Sequence, residues 1–99
     1  MNDYILFMHD DPNDGKVDRG DEWACWFAKL RQAGVFQGGS AIGGGICVSK
    51  AGTAPDITPR LSGYVRVRAE SLDRARGLVP GNPVYEAGGT IEIRELPRT

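Results

Sequence analysis

The sequence predicts an α+β fold in which two helices cover one face of an antiparallel sheet. Three observations carry that expectation. An uninterrupted apolar run, "YILFM", lies near the start, which suits a strand buried on both faces. The segment "DEWACWFAKLRQAG" places Trp23, Trp26, Phe27 and Leu30 at i, i+3, i+4 and i+7, the spacing of one helix face. "YVRVRA" alternates strictly, with Val65 and Val67 on one side and Tyr64, Arg66 and Arg68 on the other.

The remaining elements follow in chain order. "HDDPNDG" stops the first strand, and Asp21 and Glu22 favour a helix N-terminus that Gly34 can end. "VFQGG" comes next, and "GGGICVSKAGTAPDITPRLSG" leaves room for one or two short strands and a long loop. After the alternating strand, "SLDRARGLV" predicts a short helix. Ser71 is its N-cap, Leu72, Ala75 and Leu78 line one side, and Pro80 is the stop. "TIEIREL" is the last strand, entered through Gly88 and Gly89, which suit a tight turn or bulge. The order is strand, helix, strand, strand, helix, strand, the βαββαβ arrangement of ferredoxin-like sandwiches. Residues 1–99 form a single domain, with no internal repeat or linker.

Two helices cover one sheet face, yet the first strand is apolar on both. Its second face needs a cover, and a second copy of the chain supplies one by two-fold stacking of sheets. The rival is a long loop, such as 49–62, folded over that face. If Ile91 and Ile93 face the helices, Glu92 and Arg94 share the other face with Tyr64, Arg66 and Arg68.

Composition narrows the function classes. Twelve Lys plus Arg against thirteen Asp plus Glu give a net charge of -1, without the basic excess that nucleic acid or an anionic membrane surface demands. No stretch approaches the ~20 apolar residues of a membrane span, and no charged leader precedes an apolar run. Cys25 and Cys47 lack CxxC spacing and a second pair, so the expectation is two buried thiols in a reducing cytoplasm. One histidine and scattered carboxylates do not make a metal-ligand set, and "GGSAIGGG" lacks both the Lys-Ser/Thr ending of a P-loop and the GxGxxG register. No metal or cofactor is expected.

His9, the single histidine, is the candidate general base, although its neighbours Asp10 and Asp11 point in other directions on an extended chain. Tyr64, Arg66 and Arg94 are candidate ligand contacts, since guanidinium groups hold carboxylate or phosphate oxygens with paired hydrogen bonds. Counted from the sequence, Arg66, Arg68 and Arg94 meet Glu92 alone on their face, which favours a small anionic metabolite. The bland reading of the same residues is a ladder of cross-strand ion pairs in a partly wet interface.

"YILFMHDD", "WFAKLRQAGVFQGG", "GYVRVRAESLDRARGLV" and "NPVYEAGGTIEIREL" together resemble the YCII-related proteins, in particular the DGPF-domain branch, over nearly the whole chain. The resemblance implies a ferredoxin-like subunit that forms a dimeric α+β barrel with a cleft at the sheet and its loops. The branch's Asp-Gly-Pro-Phe is replaced here by "DITPRLSG", which keeps only Asp56 and a displaced Pro59. Trp26 stands where YCII-type members carry a histidine, and Asn82, before Pro83, where they carry an aspartate. Neither is a useful acid or base at neutral pH, so the family's proposed pair does not carry over. Trp26 and Asn82 are retained as candidate ligand contacts. Two functions follow as expectations: a dimeric protein that binds a small polar or anionic molecule, with minor enzymatic activity, or a non-catalytic interaction or regulatory module.

Overall fold

A computed structural model describes residues 1–10 and 20–98. Its elements are β1 (Asn2–His9), α1 (Gly20–Gln32), β2 (Phe36–Ala41), β3 (Leu61–Ala69), α2 (Leu72–Arg76), α3 (Pro83–Glu86) and β4 (Thr90–Leu96). The four strands form one antiparallel sheet in the order β2-β3-β1-β4, so β1 and β3 are central, as the expected topology requires. Asp11, singled out in the sequence, lies outside the described residues.

Register decides which side chains meet. Tyr4, Leu6 and Met8 of β1 stand opposite Val67, Val65 and Gly63 of β3, and all face the helices. Trp26 and Leu30 of α1, with Ala75 and Val84, close the core over them, while Ile91 and Ile93 pack at its edge. The alternate residues of β1, Ile5 and Phe7, point to the other face and are only half-buried. β1 is therefore apolar on both sides, with cover from its own chain on one.

α1 starts with Asp21 and Glu22 in its first turn and ends with Lys29 and Arg31, each sign placed favourably against the helix dipole. Gly34 follows at φ 73°, a left-handed conformation that glycine adopts without a Cβ clash. α2 begins as expected: the Ser71 hydroxyl accepts from the Arg74 amide at 3.2 Å. It ends at Arg76, so the predicted apolar side is cut short, and Leu72 is exposed while Leu78 lies beyond the helix.

The sequence reading contained no α3. Pro83 takes its first turn, where a missing amide hydrogen costs nothing, and the Asn82 side-chain oxygen accepts from the amides of Val84 (2.9 Å) and Tyr85 (3.1 Å). The turn places Gly89 against β1: a Cβ there would lie 2.5 Å from Val84 Cγ1 and 2.9 Å from the His9 carbonyl oxygen. Glycine is thus required where the chain passes the end of β1.

Two further expectations are corrected. Cys25 and Cys47 are exposed rather than buried, because Cys25 sits on the outer side of α1 and Cys47 on the β2–β3 connection. That connection contains no strand and leaves Ile46, Val48 and Ile57 exposed, so it does not fold over the open sheet face. No helix among the described residues is long and apolar enough to cross a membrane.

Asn82→Ala leaves the α3 amides and the neighbouring Met8 sulfur without their buried partner and should cost about 1–2 kcal/mol, within the range for loss of an N-cap. Urea denaturation checks this; a variant as stable as the parent would show that the cap is dispensable.

Candidate functional site

The open sheet face is built by register. Ile5 of β1 is flanked by Arg66 of β3 and Arg94 of β4, and Phe7 by Tyr64 and Glu92. Side chains directly opposite on paired strands share a face, so these six form two rows with an apolar middle and polar flanks. Two strand spacings put Arg66 and Arg94 about 10 Å apart at the backbone. Asp3 belongs to the same face, opposite Arg68, with 3.5 Å between its carboxylate and the guanidinium Nε. Arg98 Nε also lies 3.9 Å from the Asp3 carboxylate, so Asp3 is shared between two arginines and does not by itself lower the positive excess of the face.

His9 ends β1 beside Thr90 of β4, diagonally adjacent to Glu92. Its Nε2 lies 3.0 Å from Glu92 Oε1, and Arg94 Nη1 donates to Glu92 Oε2 at 3.2 Å. The Glu92 carboxyl is held below its ordinary value of 4.5, first by the hydrogen bond from His9 and then by that from Arg94. Against an ionised carboxylate Nε2 carries the hydrogen, which leaves Nδ1 as the basic nitrogen of a neutral ring. A carboxylate that fixes the tautomer and orientation of an imidazole is the usual support of a histidine base.

Arg66 Nη2 donates to the Gln37 carbonyl at 2.9 Å. That bond spans a bulge in β2, where pairing shifts between Phe36 and Gly38, and holds the guanidinium at the sheet edge.

Of the predicted site residues, the structure brings His9, Tyr64, Arg66 and Arg94 to one face. Trp26 and Asn82 do not join them. Both lie on the helix side: Trp26 is 2 % exposed, and its indole N–H donates to the Leu78 carbonyl at 2.9 Å. An indole buried this deeply needs an acceptor, and Leu78 supplies it. Asn82 is fully buried, with its oxygen on the α3 amides and its Nδ2 donating to Met8 Sδ at 3.4 Å. These two residues fasten α1 and α3 to the sheet.

Sequence reasoning missed Glu92 as the partner of His9, because the two are 83 positions apart and only the β1–β4 register joins them. It also missed a cavity of about 410 Å³ on the helix side, lined by Trp23, Phe27, Met8 and Val65 with Ser40 and Ser62. The helical spacing of Trp23 and Phe27 was visible, but it reads equally well as core. Among the described residues no group of three His, Cys, Asp or Glu side chains could hold a metal ion.

No protein-family model matches the chain, and no curated protein matches it. Among solved structures, it is similar to the 5-chloro-2-hydroxyhydroquinone dehydrochlorinase TftG of Burkholderia phenoliruptrix AC1100, determined as a complex with 2,5-dihydroxybenzoquinone. The TM-score is 0.61 at 23% identity, over 98% of this chain and 95% of that one. The likeness shows a shared fold.

A carboxyl whose folded value is depressed contributes stability above its unfolded value, and that contribution is lost as pH falls through the folded value. Glu92 should therefore resist acid until below 4.5. In His9→Ala, the Glu92 titration followed by carboxyl NMR should move up toward 4.5. An unmoved midpoint would mean that His9 does not hold the carboxylate in solution.

Proposed function

We propose that this chain is a YCII-related homodimer that binds a small polar or anionic molecule over the open sheet face. The observation that carries the reading is the hydrogen-bonded run His9–Glu92–Arg94 beside Phe7, with Tyr64 and Arg66 across the same strand. It combines an oriented imidazole, a guanidinium tied to the sheet edge and a half-buried apolar floor. Stacking a second copy on this face turns a flat surface into a cleft, where partial desolvation strengthens each charged contact. Arg66 is the anchor for a carboxylate or phosphate group, Tyr64 supplies a hydroxyl, and His9 is placed to accept a proton. That a protein of the same fold holds a dihydroxybenzoquinone supports a small-molecule role.

The helix-side cavity favours a second reading. Its volume falls within the range of small-molecule sites, and the stacked Trp23 and Phe27 rings with Met8 and Val65 give it an apolar aromatic wall. The non-catalytic interaction or regulatory module predicts no response to any small molecule.

A thermal-shift screen with small carboxylates and phosphate esters separates these readings. Stabilisation that disappears in Arg66→Ala, with the dimer intact, supports the open-face site. Stabilisation that survives the substitution and moves the Trp23 indole N–H resonance places the ligand in the cavity. If no compound shifts the melting temperature, small-molecule binding is wrong and the interaction module takes its place.

A further inference from the structure

The long β2–β3 connection contributes no side chain to the core cluster. Residues 42–60 leave the sheet after Ala41 and return at Leu61. Their base is fastened: the Ile42 amide donates to the Ser62 carbonyl at 3.0 Å, and the Asp10 amide to the Arg60 carbonyl at 2.8 Å. Among the described residues, no backbone hydrogen bond ties Gly43 to Ile57 to the body. Ile46 is 84% exposed and Val48 83%, on either side of the exposed Cys47. Two large apolar side chains on a segment held to the body at its base are free to meet another surface.

Fifteen residues out and back reach roughly 25 Å, at about 3.3 Å per extended residue. The molecule measures only 19 Å along its shortest axis against 47 and 40 Å along the others, so the arm runs broadly in the plane of the sheet. It is rooted on β2 and β3, whose paired residues Ser40 and Tyr64 belong to the open face. Any copy stacked on that face comes within its reach.

We propose that the 42–60 arm is a clasp that seats Ile46 and Val48 on a second copy of this chain, each copy gripping the other. The inference rests on the homodimer proposed above. It also links pairing to the site. Arg60, at φ 65° the single non-glycine residue with positive φ among the described residues, bonds to Asp10, and the Ser62 hydroxyl donates to the Met8 carbonyl at 3.3 Å. The base of the arm thus holds the chain on both sides of His9.

Cys47 offers a probe. A Cys25→Ser variant carrying a nitroxide at Cys47 should show slow motion by electron paramagnetic resonance wherever sedimentation finds a dimer, and fast motion after dilution to monomer. Ile46→Asp with Val48→Asp should weaken the dimer at least about tenfold, as removal of buried apolar anchors does. A dimer with a freely moving label and unchanged affinity in the double variant would overturn the clasp and leave the homodimer standing. A label held still in the monomer would also overturn it, because the arm would then rest on its own chain. A 10.7 kDa species at every concentration would remove both proposals.

Discussion

β1 lies in the middle of a sheet that has helices on one side only, and it carries large apolar side chains on both. Tyr4, Leu6 and Met8 are buried under α1 and α3, while Ile5 and Phe7 look out through the opposite face. Burying a side chain of that size is worth about 1.5–3 kcal/mol, so two left half-covered at the centre of a sheet are a standing demand for a partner surface. Much of the rest follows from that asymmetry. The helix side is closed by Trp26, Asn82 and the short α3. The open side gathers charged residues around an apolar strip, and the β2–β3 connection stays away from it.

The two faces divide the work. On the helix side, polar atoms are spent internally: the Trp26 N–H goes to Leu78, and the Asn82 amide goes to α3 and Met8. Trp26 and Asn82 are structural there, and neither side chain is an acid or base at neutral pH. On the open side, the polar groups are paired but accessible, and the pairs are arranged in sequence along two strands. His9, Glu92 and Arg94 form one such run, and its depressed carboxyl is a consequence of that geometry. The location of the His9 imidazole at the end of a central strand, with its carboxylate on the neighbouring edge strand, is set wholly by the β1–β4 register.

What could be read from the sequence was whatever repeats locally. The alternation in residues 64–68 and the i, i+3, i+4, i+7 pattern of α1 gave strand and helix with their inward faces, and the face shared by Glu92, Arg94, Tyr64, Arg66 and Arg68 followed from them. Features without a local period were invisible. α3 is four residues long, too short to show one, and Asn82 was therefore taken for a site residue rather than its cap. Asp3 was left out of the charge count because its place opposite Arg68 depends on pairing 65 positions apart. The exposed thiols have the same origin: Cys25 lies between inward-facing Trp23 and Trp26 in sequence but on the outer surface of the turn in space.

The central claim is that the open face is covered by a second copy of the chain, and sedimentation velocity of the parent protein beside Phe7→Lys tests it most directly. Phe7 contributes nothing to the helix-side core, so the lysine variant should stay folded. The account predicts a species of twice 10.7 kDa for the parent and a folded monomer for the variant. A parent protein that sediments as a 10.7 kDa monomer at micromolar concentration, or a Phe7→Lys variant that dimerises as tightly as the parent, would contradict it.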